Sequence, residues 1–284
     1  MNKFLYIILV AAFALVSCDS YNKVLKMNDV EYKYEEAKAL YMKGEYNKAA
    51  TLIESVVTLL KGSDKADESM FILAMCYYDS GDYVTAAQCF KACYSNYPRG
   101  NYAEIARFYS GKSLYMNVPE PALDQSDTYT AIEELQLFME YYPASVYSEE
   151  AQKMMFEMHD VLVMKDYLSA KLYYDLGDYN AYIANNYQAC IITAQNALKD
   201  YPYTKLREEL YILILRARYQ MADKSVPELQ PERYRETVDE FYAFKNEFPT
   251  SKYMAEAEKY YKKYAYANIK KSFVDNAHFP CLIF

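Results

Sequence analysis

The chain has 284 residues, with 31 Lys and Arg against 39 Asp and Glu and a formal charge of −8. It carries no basic cluster, which excludes a nucleic-acid-binding role built on phosphate contacts. A hydrophobic content of 53%, much of it from 35 Tyr, supports a large buried core, while six Gly, no Trp and no alternating strand pattern exclude a Gly-rich parallel-sheet nucleotide-binding domain.

The N-terminus reads first. Met1-Asn2-Lys3 is a short basic start, and Phe4 to Val16 is an apolar run of 13 residues. A spanning helix needs about 20 such residues, so the run predicts a signal-peptide core over residues 1–17. It ends in Leu15-Val16-Ser17-Cys18, which resembles the bacterial lipobox. The resemblance implies cleavage before Cys18, acylation of its sulfur and nitrogen, and a mature charge of −9 once Lys3 is lost. Acyl chains contribute about 0.8 kcal/mol per buried CH₂, so several chains anchor firmly where one does not. Residues 18–30 are expected to be the lipidated Cys and a short polar tether. In enteric bacteria an Asp at the position of Asp19 keeps a lipoprotein at the inner membrane. Other Gram-negative lineages do not follow that rule, so Asp19 alone leaves both membranes open.

Beyond the tether the chain repeats. From Asp67 to Pro98, the residues Met70, Leu73, Ala74, Tyr77, Gly81, Tyr83, Ala86, Phe90, Cys93 and Pro98 hold a fixed spacing. Leu73, Ala74 and Tyr77 share one face of a first helix, and Ala86, Phe90 and Cys93 one face of a second. Gly81 permits the tight turn between them, Ala74 and Ala86 allow close approach, and Pro98 ends the second helix. This segment resembles the tetratricopeptide repeat (TPR), a helical hairpin that must stack on neighbours to bury its faces. An earlier unit fits with Ala37, Leu40, Gly44, Tyr46, Ala49 and Ile53. Downstream, an aromatic–Pro pair recurs at Tyr97-Pro98, Tyr142-Pro143, Tyr201-Pro202 and Phe248-Pro249. Four residues after each Pro stands Tyr102, Tyr147, Leu206 or Tyr253, and eight after stands Ala106, Ala151, Leu210 or Ala257. The predicted fold is all-α, a right-handed TPR-type superhelix of about five hairpins. These cover residues 31–61, 66–98, 101–143, 146–202 and 204–249, with a closing helix over 251–271 and a tail over 272–284. The closing helix is expected to show solvent a charged face of Glu256, Glu258, Lys259, Lys262 and Lys263, as a terminal cap requires.

No catalytic constellation is present. His159 has no second His at ligand spacing and reads as a surface or interhelix residue, and His278 falls in the tail. No phosphate loop, His-Glu-x-x-His or Gly-x-Ser-x-Gly occurs. The acidic pairs Glu133-Glu134 and Glu149-Glu150 are explained by the helix dipole. The reading is of a protein that is not an enzyme and holds no cofactor or metal. Five cysteines follow Cys18, namely Cys76, Cys89, Cys93, Cys190 and Cys281, and an odd number excludes complete intramolecular pairing. Cys76, Cys89 and Cys93 fall on apolar helix faces and read as small core residues. A Cys76–Cys89 or Cys76–Cys93 bridge stays open in an oxidising compartment.

From Ala151 to Leu176 no Gly or Pro interrupts the chain, so one continuous helix serves two hairpins. Its second half carries Lys165, Tyr167, Ala170, Tyr173, Tyr174, Gly177 and Tyr179. With Tyr142-Pro143-Ala144-Ser145-Val146-Tyr147, Ala151 and Leu123-Asp124-Gln125-Ser126-Asp127, this resembles the BamD family, lipoproteins of the outer-membrane β-barrel assembly machine. The eight extra residues between Gly177 and Pro202, relative to Gly81 and Pro98, depart from the repeat spacing. The resemblance implies an outer-membrane lipoprotein facing the periplasm and acting without catalysis. Its implied partners are a BamA-type insertase, met by repeat five and the closing helix, other subunits of the machine, and the C-termini of unfolded outer-membrane proteins. Such C-termini often end in an aromatic residue. The first-helix positions that line a TPR concave face are here Tyr34, Lys38, Tyr41 and Met42, then Phe71, Met75 and Tyr78, then Arg107. Aromatic and Met side chains beside cations suit an extended peptide with an aromatic end and a carboxylate. Two other readings share the helical fold, a scaffold lipoprotein of a different envelope complex and a SusD-like glycan-binding lipoprotein. The second is disfavoured because sugar platforms favour Trp.

Overall fold

Each of the four aromatic–Pro pairs ends a helix in the same way. In the computed structural model, which describes residues 21–177 and 185–264, Tyr97, Tyr142, Tyr201 and Phe248 are the C-caps. Their φ lies between −127° and −131° and their ψ between 62° and 68°. Each cap N–H still donates to the carbonyl four residues back, and the Pro that follows disfavours another helical turn at the cap. The next helix then starts in common register. The N–H groups of Ala106, Ala151, Leu210 and Ala257 donate to the carbonyls of Tyr102, Tyr147, Leu206 and Tyr253 at 2.8–3.0 Å. All four of these residues are fully buried.

The helices are α1 (Val30–Met42), α2 (Tyr46–Val56), α3 (Ala66–Asp79), α4 (Tyr83–Asn96), α5 (Ala103–Met116), α6 (Ser126–Tyr141), α7 (Ser148–Leu176), α8 (Asn186–Asp200), α9 (Arg207–Asp223) and α10 (Gln230–Glu247). Residues 254–264 form α11, and no strand occurs among the described residues. Asp29, Asp82 and Asn185 cap α1, α4 and α8 by accepting from the N–H groups of Tyr32, Thr85 and Gln188 at 3.0–3.1 Å. Gly81 turns α3 into α4 at φ 86°, and Gly177 ends α7 at φ 58°, a left-handed conformation that a Cβ would strain.

The chain divides into two compact units, Met1–Pro119 with Asp124–Met158, and Glu120–Leu123 with His159–Phe284. The division cuts through α7, the 29-residue helix expected to serve two hairpins. In the first unit, Tyr34, Ala37 and Leu40 of α1 pack with Leu52 and Ile53 of α2 and with Leu73 and Cys76 of α3. Ala74, Ala86, Phe90, Cys93 and Ala106 continue the core. In the second, Ala170 of α7 joins Cys190 and Ile191 of α8 and Leu210 and Leu213 of α9. Ile212, Leu215, Phe241, Phe244 and Ala257 join α9, α10 and α11.

Three features depart from the sequence reading. Residues 21–26, expected to be tether, are helical. Val24 is buried in the core of the first hairpin, with Tyr21 and Leu25 packed against it. The charged face of α11 is only partly a solvent face. Glu256 takes both nitrogens of a bidentate bond from Arg216 at 2.7 Å, and Lys263 bonds Asp223 at 2.8 Å. Gly111, which carried no signal in the repeat register, is buried in α5 against Leu135 of α6. The predicted signal peptide, Cys18, residues 265–271 of the closing helix and the tail with His278 and Cys281 lie outside the described residues.

Candidate peptide-binding site

The expected site residues of the first unit separate into three groups. The first is an aromatic seam between repeats two and three. Phe71 of α3 stacks on Tyr102 at 4.8 Å and 24°, and meets Phe90 at 5.7 Å and Tyr109 at 6.5 Å. Tyr78, two turns further along α3, meets Tyr83 edge-on at 5.5 Å and Tyr109 at 5.2 Å. Met75 lies between them in sequence and packs in the same cluster. Phe71, Met75 and Tyr78 are half-buried, so their rings and thioether are shared between the protein and the surface. Burial pushes the Tyr78 phenol upward, so it stays a neutral donor at neutral pH.

The second group lies on α1, and two of its members, Lys38 and Tyr41, are already paired. Tyr34 is fully buried in the core of α1, with its hydroxyl meeting no acceptor in hydrogen-bond geometry. The ammonium groups of Lys38 and Lys65 stand 5.1 and 5.2 Å from its ring centre. Burial, and then the neighbouring Glu68 carboxylate, raise the Tyr34 pKa. Lys38 donates to Glu68 of α3 at 2.9 Å, a bond that raises the lysine pKa. Burial works against ionisation of Glu68, but the Tyr34 hydroxyl, close by though outside hydrogen-bond geometry, and the bonded Lys38 ammonium outweigh it and hold its pKa below the usual value. Tyr41 donates to Asp79 at 2.7 Å. The same stitching continues with Lys112 to Glu150 at 2.8 Å and Tyr115 to Glu157. Cations and phenols of one first helix thus reach carboxylates of the next, and a further carboxylate at Lys38 would share its ammonium with Glu68. Met42, 83% exposed at the end of α1, makes no such contact.

The third group is Arg107 by itself. It stands two positions before Tyr109, and on a helix of 3.6 residues per turn the two side chains leave on opposite sides. Its guanidinium lies 4.7 Å from the Tyr94 ring centre and 3.9 Å from that of Tyr141, residues of the second helices α4 and α6. Its Nε is buried without a hydrogen-bond partner. Tyr94 in turn donates to the buried Glu134, which also accepts from Ser110 at 3.3 Å. The structure therefore brings Phe71, Met75 and Tyr78 together and places Arg107 away from them.

Sequence reasoning missed Tyr102, Tyr109 and Phe90 as partners of Phe71. Tyr102 was visible only as a register residue four positions after Pro98, and nothing in one chain tells a register aromatic from a surface one. Elsewhere, His159 is partly buried 5.8 Å from the Tyr201 ring, and burial lowers its pKa. Cys76, Cys89, Cys93 and Cys190 are free thiols. Burial pushes Cys76, Cys93 and Cys190 up to about 12 and Cys89 to about 11, so all four are protonated and poor nucleophiles at neutral pH.

No described helix is long and apolar enough to cross a membrane. Among curated proteins, none matches the chain significantly. A sequence model of the YfiO family, described as an outer membrane lipoprotein, matches residues 26–226. That span runs from the segment preceding α1 through α9, and it includes the aromatic seam and the long α7. With most of its length matched on a stack of TPR-type hairpins, the chain belongs to the YfiO family of outer membrane lipoproteins, the family of BamD.

Proposed function

We propose that this protein is a non-catalytic subunit of the β-barrel assembly machine, anchored through Cys18 to the outer membrane and facing the periplasm. In this reading the first-helix face of the first unit receives C-terminal segments of unfolded outer-membrane proteins, and α9, α10 and α11 meet a BamA-type insertase. The observation that carries the client site is the half-buried seam of Phe71, Tyr78, Tyr102 and Tyr109, which offers ring faces and edges beside apolar surface. Such a surface fits an extended peptide with an aromatic end. The insertase assignment is supported by the family relationship. Co-purification after mild detergent extraction tests the assembly. Recovery of the chain without a barrel-forming partner would sink it.

Two expected results follow. In the first, Cys18→Ala moves the chain from the membrane fraction to the soluble fraction and abolishes incorporation of labelled fatty acid. Membrane retention with unchanged lipid label would refute the anchor. In the second, a peptide ending in Phe is titrated onto variants whose melting temperature is unchanged. Phe71→Ala with Tyr78→Ala should weaken binding by about 2 kcal/mol or more, the scale of central aromatic anchors. Lys38→Met should change it by no more than about 1 kcal/mol, because a partly exposed ion pair is weak and Lys38 is already held by Glu68. Equal affinity in wild type and the double variant would rule out the seam as the client site.

A further inference from the structure

The first described residues stand very close in sequence to Cys18, the proposed anchor. Only Asp19 and Ser20 separate Cys18 from Tyr21, where the described structure begins. Three residue steps span at most about 11 Å in any conformation. Tyr21 is not the start of a free leash, because the helix it opens is fastened to the first hairpin. Its hydroxyl donates to the Lys48 carbonyl of α2 at 3.3 Å. Val24 is 7% exposed, with Tyr21 and Leu25 packed beside it. The positions 21, 24 and 25 share the inward face, as the spacing i, i+3, i+4 requires. Asn22, Lys23 and Lys26 therefore share the opposite face, and all three are exposed. Met27 and Tyr32, further along the chain, are each 46% exposed.

We infer that the lipid anchor holds this face against the bilayer surface, with Asn22 and Lys26 directed at the lipid headgroups and the first hairpin riding directly on them. The inference rests on acylation of Cys18. The headgroup layer is roughly 5–8 Å deep on each side of the hydrocarbon core, so a reach of about 11 Å cannot carry residues 21–26 far beyond it. The chemistry of the face suits that position. Lysines such as Lys26 lay their apolar stems along a surface and place ammonium groups among phosphates. Asp19 and Asp29 balance Lys23 and Lys26 in formal charge, so the short covalent reach, and not net attraction, is what sets the contact. A long tether would let the first hairpin sample any orientation. This one presents it to the membrane with a fixed side down.

The absence of Trp from the whole chain makes the test direct. Asn22→Trp supplies a single tryptophan on the outward face. The full-length acylated chain is reconstituted into phosphatidylethanolamine–phosphatidylglycerol vesicles containing a lipid with a nitroxide on its headgroup. The expected result is a loss of Asn22→Trp fluorescence on reconstitution. That loss should be absent from a Cys18→Ala chain mixed with the same vesicles. It should be largely reversed when a twelve-residue Gly-Ser spacer, which raises the maximum reach from about 11 Å to about 54 Å, is inserted between Ser20 and Tyr21. Fluorescence as bright as that of the Cys18→Ala chain overturns the inference, as does quenching that survives the spacer. The mass of the N-terminal peptide separates the two levels. A chain without acyl groups fails the anchor reading, whereas an acylated chain without quenching fails this inference alone.

Discussion

Replacing Gly111 by valine should disrupt the packing of α5 on α6 and lower the stability of the first unit more than any exposed substitution. A Cβ at this position would stand 2.5 Å from Leu135 Cδ2 and 2.8 Å from Leu135 Cγ. Leu135 is fully buried and has no solvent to retreat into, so the helices themselves must separate. Overpacking of this kind costs about 1–3 kcal/mol, and the added methyls of valine place it at the upper end. The gain in helix propensity on leaving glycine offsets at most about 1 kcal/mol of that. The check is urea unfolding of Gly111→Val, Leu135→Ala and the double variant. If the clash is with Leu135, the double variant will be more stable than the sum of the two single effects predicts, because the second change makes room for the first. A Gly111→Val chain that unfolds like wild type would show that α5 and α6 can part at no cost. Since Arg107 and Tyr109 leave the same helix on opposite sides, the variant should also disturb both the Arg107–Tyr141 contact and the Phe71–Tyr109 contact.

Phe90→Ala should have an effect of similar or larger size and connects stability to the candidate site. Phe90 is fully buried on α4 and contacts Phe71 at 5.7 Å and Tyr109 at 5.5 Å. Truncating a buried Phe to Ala costs about 3–5 kcal/mol through lost transfer energy and the cavity left behind. The two ring contacts add about 0.5–1.5 kcal/mol each beyond buried area. In a stacked-repeat protein each repeat is held mainly by its neighbours, so the loss should be local. Hydrogen exchange should therefore accelerate in α3, α4 and α5 while the amides of α9 and α10 keep their protection. Loss of peptide binding in this variant would follow from the collapsed floor of the seam. That is why the test of the site itself uses Phe71 and Tyr78, whose rings are half exposed. Uniform acceleration across both units would contradict local coupling.

What was legible in the sequence is what acts within a single hairpin. The aromatic–Pro pairs specify a cap because Pro acts on the residue directly before it, and all four took the same dihedral angles. Gly81 and Gly177 marked turns because a left-handed residue is a local demand. The all-helical fold followed from spacing and the unbroken α7 from the absence of Gly and Pro, and the YfiO family model covers residues 26–226 of the same chain. The tertiary structure decided everything that depends on which side chain a neighbouring repeat presents. Lys38 reads as a free groove cation until α3 places Glu68 beside it, 30 residues away. Arg107 has the position of a first-helix ligand, yet Tyr94 and Tyr141 take its guanidinium from the other side. Residues 21–26 read as a polar tether, and only the packed first hairpin gives Val24 and Tyr21 something to bury against. Local rules fix the backbone of each helix because they need only a few successive residues. A charge or a ring on its surface takes its partner from packing across long stretches of chain, and that choice exists only once the repeats have stacked.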